Sequence, residues 1–252
     1  MSNRMEGFKS RMASGEPLIG TFLKTPSPIV AEVLGLSNLD VIAIDSEHAP
    51  FGRVDADACI ATFRAADMPH LVRTADDSPR EIRNALDSGA SGVIVPHVIT
   101  GAQAAAIVKT SHFGDGGRGY AGSPRAAGYG TRSMAEHLDL SARETTVIVQ
   151  VEDIPALGNV SDIAAVDGVD AIFVGRADLA VAMGKSPMDD AVIDAVEVIC
   201  KSCKSAGMAV GMFTPDLSEL PKWRELGASL FLWSSDQSFL LAGANELAQS
   251  IR

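Results

Sequence analysis

The chain has 252 residues, 46% of them hydrophobic and 21% charged, which suits one large globular domain over residues 1–252 with a substantial core. Its 21 basic against 32 acidic side chains leave a net charge of -11, which disfavours a nucleic-acid surface or an anionic membrane as partner but leaves room for a local pocket that takes a small anion. Cys59, Cys200 and Cys203 are too few for a disulfide framework, the amino terminus lacks the apolar core of a signal peptide, and no run is long enough to span a bilayer, so a cytoplasmic location is the default expectation.

In chain order, hydrophobic periodicity predicts an opening helix around Arg4 to Ala13 and then strands alternating with helices. The strands are expected at Leu18 to Leu23, Val41 to Asp45, His70 to Arg73, Gly92 to Pro96, Val147 to Glu152, Ala171 to Gly175, Val210 to Phe213 and Leu230 to Trp233. Amphipathic stretches fall between them at Ile29 to Leu36, Ala56 to Ala66, Pro79 to Ser88, Ala102 to Ser111, Ile154 to Val166, Asp190 to Ala206 and Leu217 to Leu226, with Phe239 to Ile251 last. Several strands are continuous apolar runs, as burial on both faces of a parallel sheet demands. Eight such units in a chain of this length predict an α/β fold of the (β/α)8 TIM-barrel type with an extra amino-terminal helix. A doubly wound open sheet is the rival, but Leu23-Lys24-Thr25-Pro26-Ser27-Pro28 stands where its glycine-rich turn would be. The stretch Gly114 to Gly130 is too long for a simple connection and is expected to be an active-site loop that acts as a mobile lid; it lacks the ending of a P-loop. Cys200-Lys201-Ser202-Cys203 lies in a helical pattern and is expected to pack rather than to bind metal.

The strand ends carry the chemistry. Asp45 and His48 stand three residues apart just past a buried strand, close enough for the carboxylate to orient the imidazole as a general base; a rim histidine without function is the alternative. Glu152 and Asp178 follow consecutive strands, where two carboxylates suit a hard divalent cation, although Asp178 could simply cap a helix. Arg73 at the end of its strand is placed to bind a carboxylate or a developing enolate oxygen, with a surface ion pair as the alternative. His97 follows a strand and could line the pocket, and Lys24 raises the thin case for a Schiff-base lysine.

Asp45-Ser46-Glu47-His48-Ala49-Pro50, Val72-Arg73, Val149-Gln150-Val151-Glu152 and Val174-Gly175-Arg176-Ala177-Asp178-Leu179 together resemble the HpcH/HpaI family of class II aldolases, as do Ile19-Gly20-Thr21 and Gly117-Arg118-Gly119. The resemblance runs almost end to end. It implies a metal-dependent barrel that cleaves or forms 4-hydroxy-2-oxo acids through the enolate of pyruvate, hydroxypyruvate or a related 2-oxo acid and an aldehyde. It further implies Glu152 and Asp178 as ligands of Mg, Mn or Co, Gln150 as an orienting group, His48 with Asp45 in proton transfer, and Arg73 on the pyruvyl oxygen. Main-chain N–H groups near Ala177 and Asp178 would bind the substrate carboxylate. Asp87 looks like the family acid that reaches a neighbouring subunit's site in hexamers built from trimers. Arg176 departs from the pattern, since that position is often proline in the family. The alternatives to this reading are an acyl-CoA carbon–carbon lyase and a catalytically silent barrel that only binds.

Overall fold

The computed structural model describes residues 4–5 and 7–251. Eight strands, β1 (Leu18–Leu23), β2 (Val41–Asp45), β3 (His70–Arg73), β4 (Gly92–Val95), β5 (Thr146–Val151), β6 (Ala171–Val174), β7 (Ala209–Phe213) and β8 (Ala228–Ser235), pair in parallel and in order, with β8 returning to β1 to close the barrel. This is a (β/α)8 barrel. Every expected strand is present, and β8 runs two residues further at each end than its apolar core indicates.

Alternation along the strands divides the core in two. Val41, Ala43, Leu71, Ile148, Ala171, Leu230 and Leu232 fill the barrel interior. Ile42, Ile44, Val72, Val147, Val149 and Ile172 face the surrounding helices. Because the side-chain period is two, the inward positions continue at the strand ends as Lys24, Asp45, Arg73, Gln150, Glu152 and Ser234. A single parity therefore aims the polar residues of five strands at the carboxyl-terminal mouth.

The helices around the barrel start where the sequence supplies caps. Ser27, Ser78 and Thr100 accept hydrogen bonds from the amides of Val30, Glu81 and Gln103 at the starts of α2 (Pro28–Gly35), α4 (Pro79–Ser88) and α5 (Gly101–Ser111), and proline opens the first two. The remaining long outer helices are α3 (Arg53–Ala65), α9 (Asp190–Ala206) and α11 (Asp236–Ile251). Cys200 and Cys203 are fully buried on α9, and burial pushes both thiols up to about 12, in keeping with a packing role.

Three expectations need correction. The opening helix, α1 (Phe8–Ala13), begins later than expected because Gly7 takes a left-handed φ of 107° at its cap, and the amides of Arg4 and Met5 bind the Asp67 carboxylate instead of a helix; Glu6 lies outside the described residues. Phe8 and Met12 of this helix are buried and plug the amino-terminal mouth. The connection from α5 to β5 contains a further helix, α6 (Met134–Glu144), whose Ser133 and Glu136 form a capping box. The expected lid, Gly114 to Gly130, belongs to that connection: Arg118 is buried against Asp87 of α4 and Arg125 binds Asp57 of α3, so the segment packs on the outer wall. Arginine pairing with the α3 and α4 acids, invisible from spacing, holds it there. After β6, the helix expected near Asp178 is α8 (Arg176–Ala182), with Gly175 rather than Asp178 at its cap.

Candidate active site

A cavity of about 370 Å³ opens at the carboxyl-terminal mouth, walled by Phe22, Lys24, His48, Arg73, Gln150, Asp178 and Ser234 among others. Register explains its central pair. Asp45 stands directly beside Arg73 across β2 and β3, and the guanidinium grips the carboxylate in a fork, Nε to Oδ1 at 3.1 Å and Nη2 to Oδ2 at 2.8 Å. Lys24 approaches the same Oδ2 at 3.2 Å. Burial pushes the Asp45 carboxyl up, but Arg73, the His48 amide and Lys24 together overcome it and hold the group below the ordinary carboxylate range. Both cations lie over the Phe22 ring, with Arg73 4.6 Å from its centroid.

The expected bond from Asp45 to the His48 ring is not what the structure shows. Asp45 Oδ1 accepts the His48 main-chain N–H at 3.1 Å, because a residue three positions on in a tight turn presents its amide rather than its ring. The His48 imidazole is half exposed on the cavity wall, and its Nε2 lies 3.7 Å from Glu47 Oε2.

Opposite Lys24, acids dominate. Ligand atoms of Glu47, His97 and Glu152 all lie within 4.8 Å of one another. His97 takes a left-handed φ of 56°, a conformation that costs a non-glycine residue about 1–2 kcal/mol, and from it donates its main-chain N–H to Glu152 Oε1 at 2.9 Å. Its ring Nδ1 lies 3.0 Å from Asp153 Oδ2. Burial pulls the His97 ring down, but the bond to Asp153 and the charge of Glu152 prevail and leave it raised. Burial pushes the Glu152 carboxyl up, and hydrogen bonds from Gln150 and His97 offset this only in part. Gln150 Oε1 is buried without a hydrogen-bond donor, and Glu47 Oε2, also without a hydrogen bond, has Arg73 Nε at 3.3 Å. Buried oxygens short of hydrogen-bond donors beside a desolvated carboxylate fit a hard cation with oxygen ligands.

Asp178, expected as the partner of Glu152, lies exposed on the cavity wall at the start of α8 next to Ala177, and it is not one of the three convergent ligands. Gly175, at the cap of α8, packs against Glu152. A Cβ there would overlap the Glu152 carboxylate and stand 2.6 Å from Glu152 Cβ, so any larger residue would displace that acid. Arg176 is buried and spends its charge on Glu219, with Nη1 to Oε2 at 2.6 Å, while its Nε donates to the Pro187 carbonyl. Asp87 pairs with Arg118 and does not line this cavity. Glu47 is the one member of the acid cluster that the sequence did not single out, although it stands between Asp45 and His48 in the same turn.

Residues 18–242 match the family model described as HpcH/HpaI aldolase/citrate lyase. The chain belongs to that family. It is 32% identical, over the whole of both chains, to the hydroxypyruvate/pyruvate aldolase of Paraburkholderia phytofirmans. It is also 32% identical to the 5-keto-4-deoxy-D-glucarate aldolase of Salmonella arizonae, over 97% of this chain and 96% of that one. Among solved structures, an HpcH/HpaI aldolase/citrate lyase family protein from Burkholderia cenocepacia superposes with a TM-score of 0.93 at 35% identity, covering 98% of this chain and 99% of that chain. As a member of the family, the chain is a carbon–carbon lyase of the aldolase kind.

Proposed function

We propose that the chain is a class II aldolase that forms and cleaves 4-hydroxy-2-oxo acids from a 2-oxo acid such as pyruvate or hydroxypyruvate and an aldehyde. The observation that carries this reading is the pairing, at one barrel mouth, of a desolvated carboxylate, Glu152, with a guanidinium locked in place by a buried acid, Arg73 on Asp45. Glu152 and Asp178 would hold Mg, Mn or Co, and Glu47 and His97 stand near Glu152 as further donors. When bound, the cation supplies the Lewis acidity that lowers the cost of an enolate at the carbon next to the ketone.

The chain's own residues do the rest. Arg73, with two of its nitrogens committed to Asp45, keeps its remaining N–H groups for the substrate oxygen on which enolate charge develops. Gln150 donates one amide N–H to Glu152 and keeps the other to orient the 2-oxo acid. His48, exposed on the wall, removes the proton from the substrate methyl or methylene carbon, and the enolate carbon then attacks the aldehyde, whose oxygen takes a proton in turn. Asp87, outside this cavity, would act only across a subunit boundary, as in the hexamer of the family pattern.

The test is loss of the pyruvate methyl proton signal in deuterated buffer, followed by NMR with chelator-treated protein, with and without added Mn or Mg. Exchange that needs both the metal and His48 is the expected result, with His48→Ala slowing it about 100-fold or more. No exchange in a folded, metal-supplied sample would overturn the reading and turn attention to acyl-CoA thioesters.

A further inference from the structure

Beyond the aldolase reading, on which this inference rests, we propose that Lys24 and the hydroxyls of Ser234, Ser235 and Ser238 form an anion subsite. It receives the charged end of the acceptor aldehyde, so the chain prefers aldehydes that carry a carboxylate or phosphate over neutral ones of the same length. Among the described residues, three cations face the cavity, and two are already employed. Arg176 is neutralised by Glu219. Arg73 is held in a fork by Asp45 and faces the 2-oxo acid. Lys24 differs from both: a third of its side chain is exposed, against about a twentieth for Arg176, and Asp45, already taken by Arg73, is its one ion-pair partner among the described residues. An ammonium has three donors, so two remain for a ligand.

The position of Lys24 decides which ligand that is. Closure of the barrel places β1 and β8 across the mouth from β4 and β5, which deliver His97 and Glu152. The 2-oxo acid, which Arg73 and the cation between the acids would hold, occupies only part of a cavity of about 370 Å³, and the open remainder lies toward Lys24, Phe213 and the end of β8. The backbone there is shaped for a ligand. β8 gains a residue against β1 between Leu232 and Ser235, and Ser234 within this bulge adopts a left-handed φ of 61°. Such bulges re-aim side chains beside active sites, and this one turns two consecutive serines onto the cavity wall. Ser238 follows on the first turn of α11, its hydroxyl 3.2 Å from that of Ser235. Hydroxyl donors that line one cavity with a partly free ammonium match the oxygens of a carboxylate or phosphate.

The experiment compares kcat/KM for addition of pyruvate, with Mn supplied, to matched acceptors: butanal against 4-oxobutanoate, and glyceraldehyde against glyceraldehyde 3-phosphate. The readout is the charged-to-neutral ratio, in which any effect on enolate formation cancels. The wild-type protein should favour at least one charged acceptor, and the pair that discriminates names the anion. Lys24→Met should lower that ratio about 10- to 100-fold, through KM for the aldehyde, and Lys24→Arg should restore most of it. A wild-type ratio near one, or a ratio unchanged by Lys24→Met, would overturn the subsite. An equal fall for both acceptors with a raised KM for pyruvate would overturn it too, by placing Lys24 on the 2-oxo acid. Methyl exchange in the wild-type protein without an acceptor keeps these failures distinct from failure of the aldolase reading.

Discussion

The two mouths of the barrel are built on one strand parity and filled with opposite chemistry. At the amino end, α1 drives Phe8 and Met12 into the inward-facing cluster, where each is at most 1% exposed. At the carboxyl end the same inward positions hold Lys24, Asp45, Arg73, Gln150 and Glu152, and buried oxygens of Glu47 and Gln150 are short of hydrogen-bond donors. One end collects apolar burial, and the other tolerates desolvated charge that an apolar core would not choose. The contrast says where stability and reactivity should separate under mutation.

Phe8→Ala should break the comparison from the stable side, costing about 3–5 kcal/mol of unfolding free energy by emptying the plug while leaving pyruvate methyl exchange intact at low temperature. Urea titration beside the exchange assay checks it; loss of exchange in the folded variant would mean that the amino mouth shapes the site. Glu152→Gln should do the converse. Removing a carboxylate that burial pushes up should slow metal-dependent exchange about 100- to 1000-fold, and the melting temperature should hold or rise. A fall in both would show that Glu152 braces the rim rather than serving the reaction. Arg73→Met should affect both measurements: it strands the fully buried Asp45 carboxylate with Lys24 alone, at a cost of about 3 kcal/mol, and removes the group proposed for the enolate oxygen.

Much of this contrast was legible in the sequence. Parallel strands buried on both faces read as apolar runs, so the sequence locates the strands and the polar residues at their ends, and period-two alternation requires Asp45, Arg73 and Glu152 to share a mouth. What spacing did not carry was side-chain direction. Asp45 gave its oxygens to Arg73 and to the His48 amide, a choice made by the register of β2 on β3, and His97 was drawn into the acid cluster by a left-handed backbone that nothing in its neighbours announces. The segment from Gly114 to Gly130 was misjudged because its glycines suggest motion, whereas Arg118 and Arg125 tie it to acids 31 and 68 residues away in the chain. The helix from Met134 to Glu144 is absent from the expected elements, although Ser133 and Glu136 stand at capping-box spacing.

His70 sharpens the comparison by showing what a titratable group does at a strand start, on the face turned to the helices. Its ring is fully buried, stacked 5.6 Å from Phe63, with Nδ1 2.8 Å from the Met68 carbonyl and Nε2 without a partner. Burial drives its pKa from the usual 6.5 down to about 4. Above 6.5 the ring is neutral in both the native and unfolded chains, so it adds no pH dependence. Between 6.5 and 4 the unfolded chain gains a proton that the native protein refuses, and native stability falls as the pH drops through that window, by at most about 3 kcal/mol. His70→Phe keeps the stacking surface and removes the titration. Urea unfolding at about pH 7 and about pH 4.5 should therefore show a smaller loss in the variant than in the wild type, since losses from the carboxylates are common to both. Equal losses would mean that the buried imidazole accepts its proton in the native state, and that this end of the barrel is less dry than its apolar plug implies.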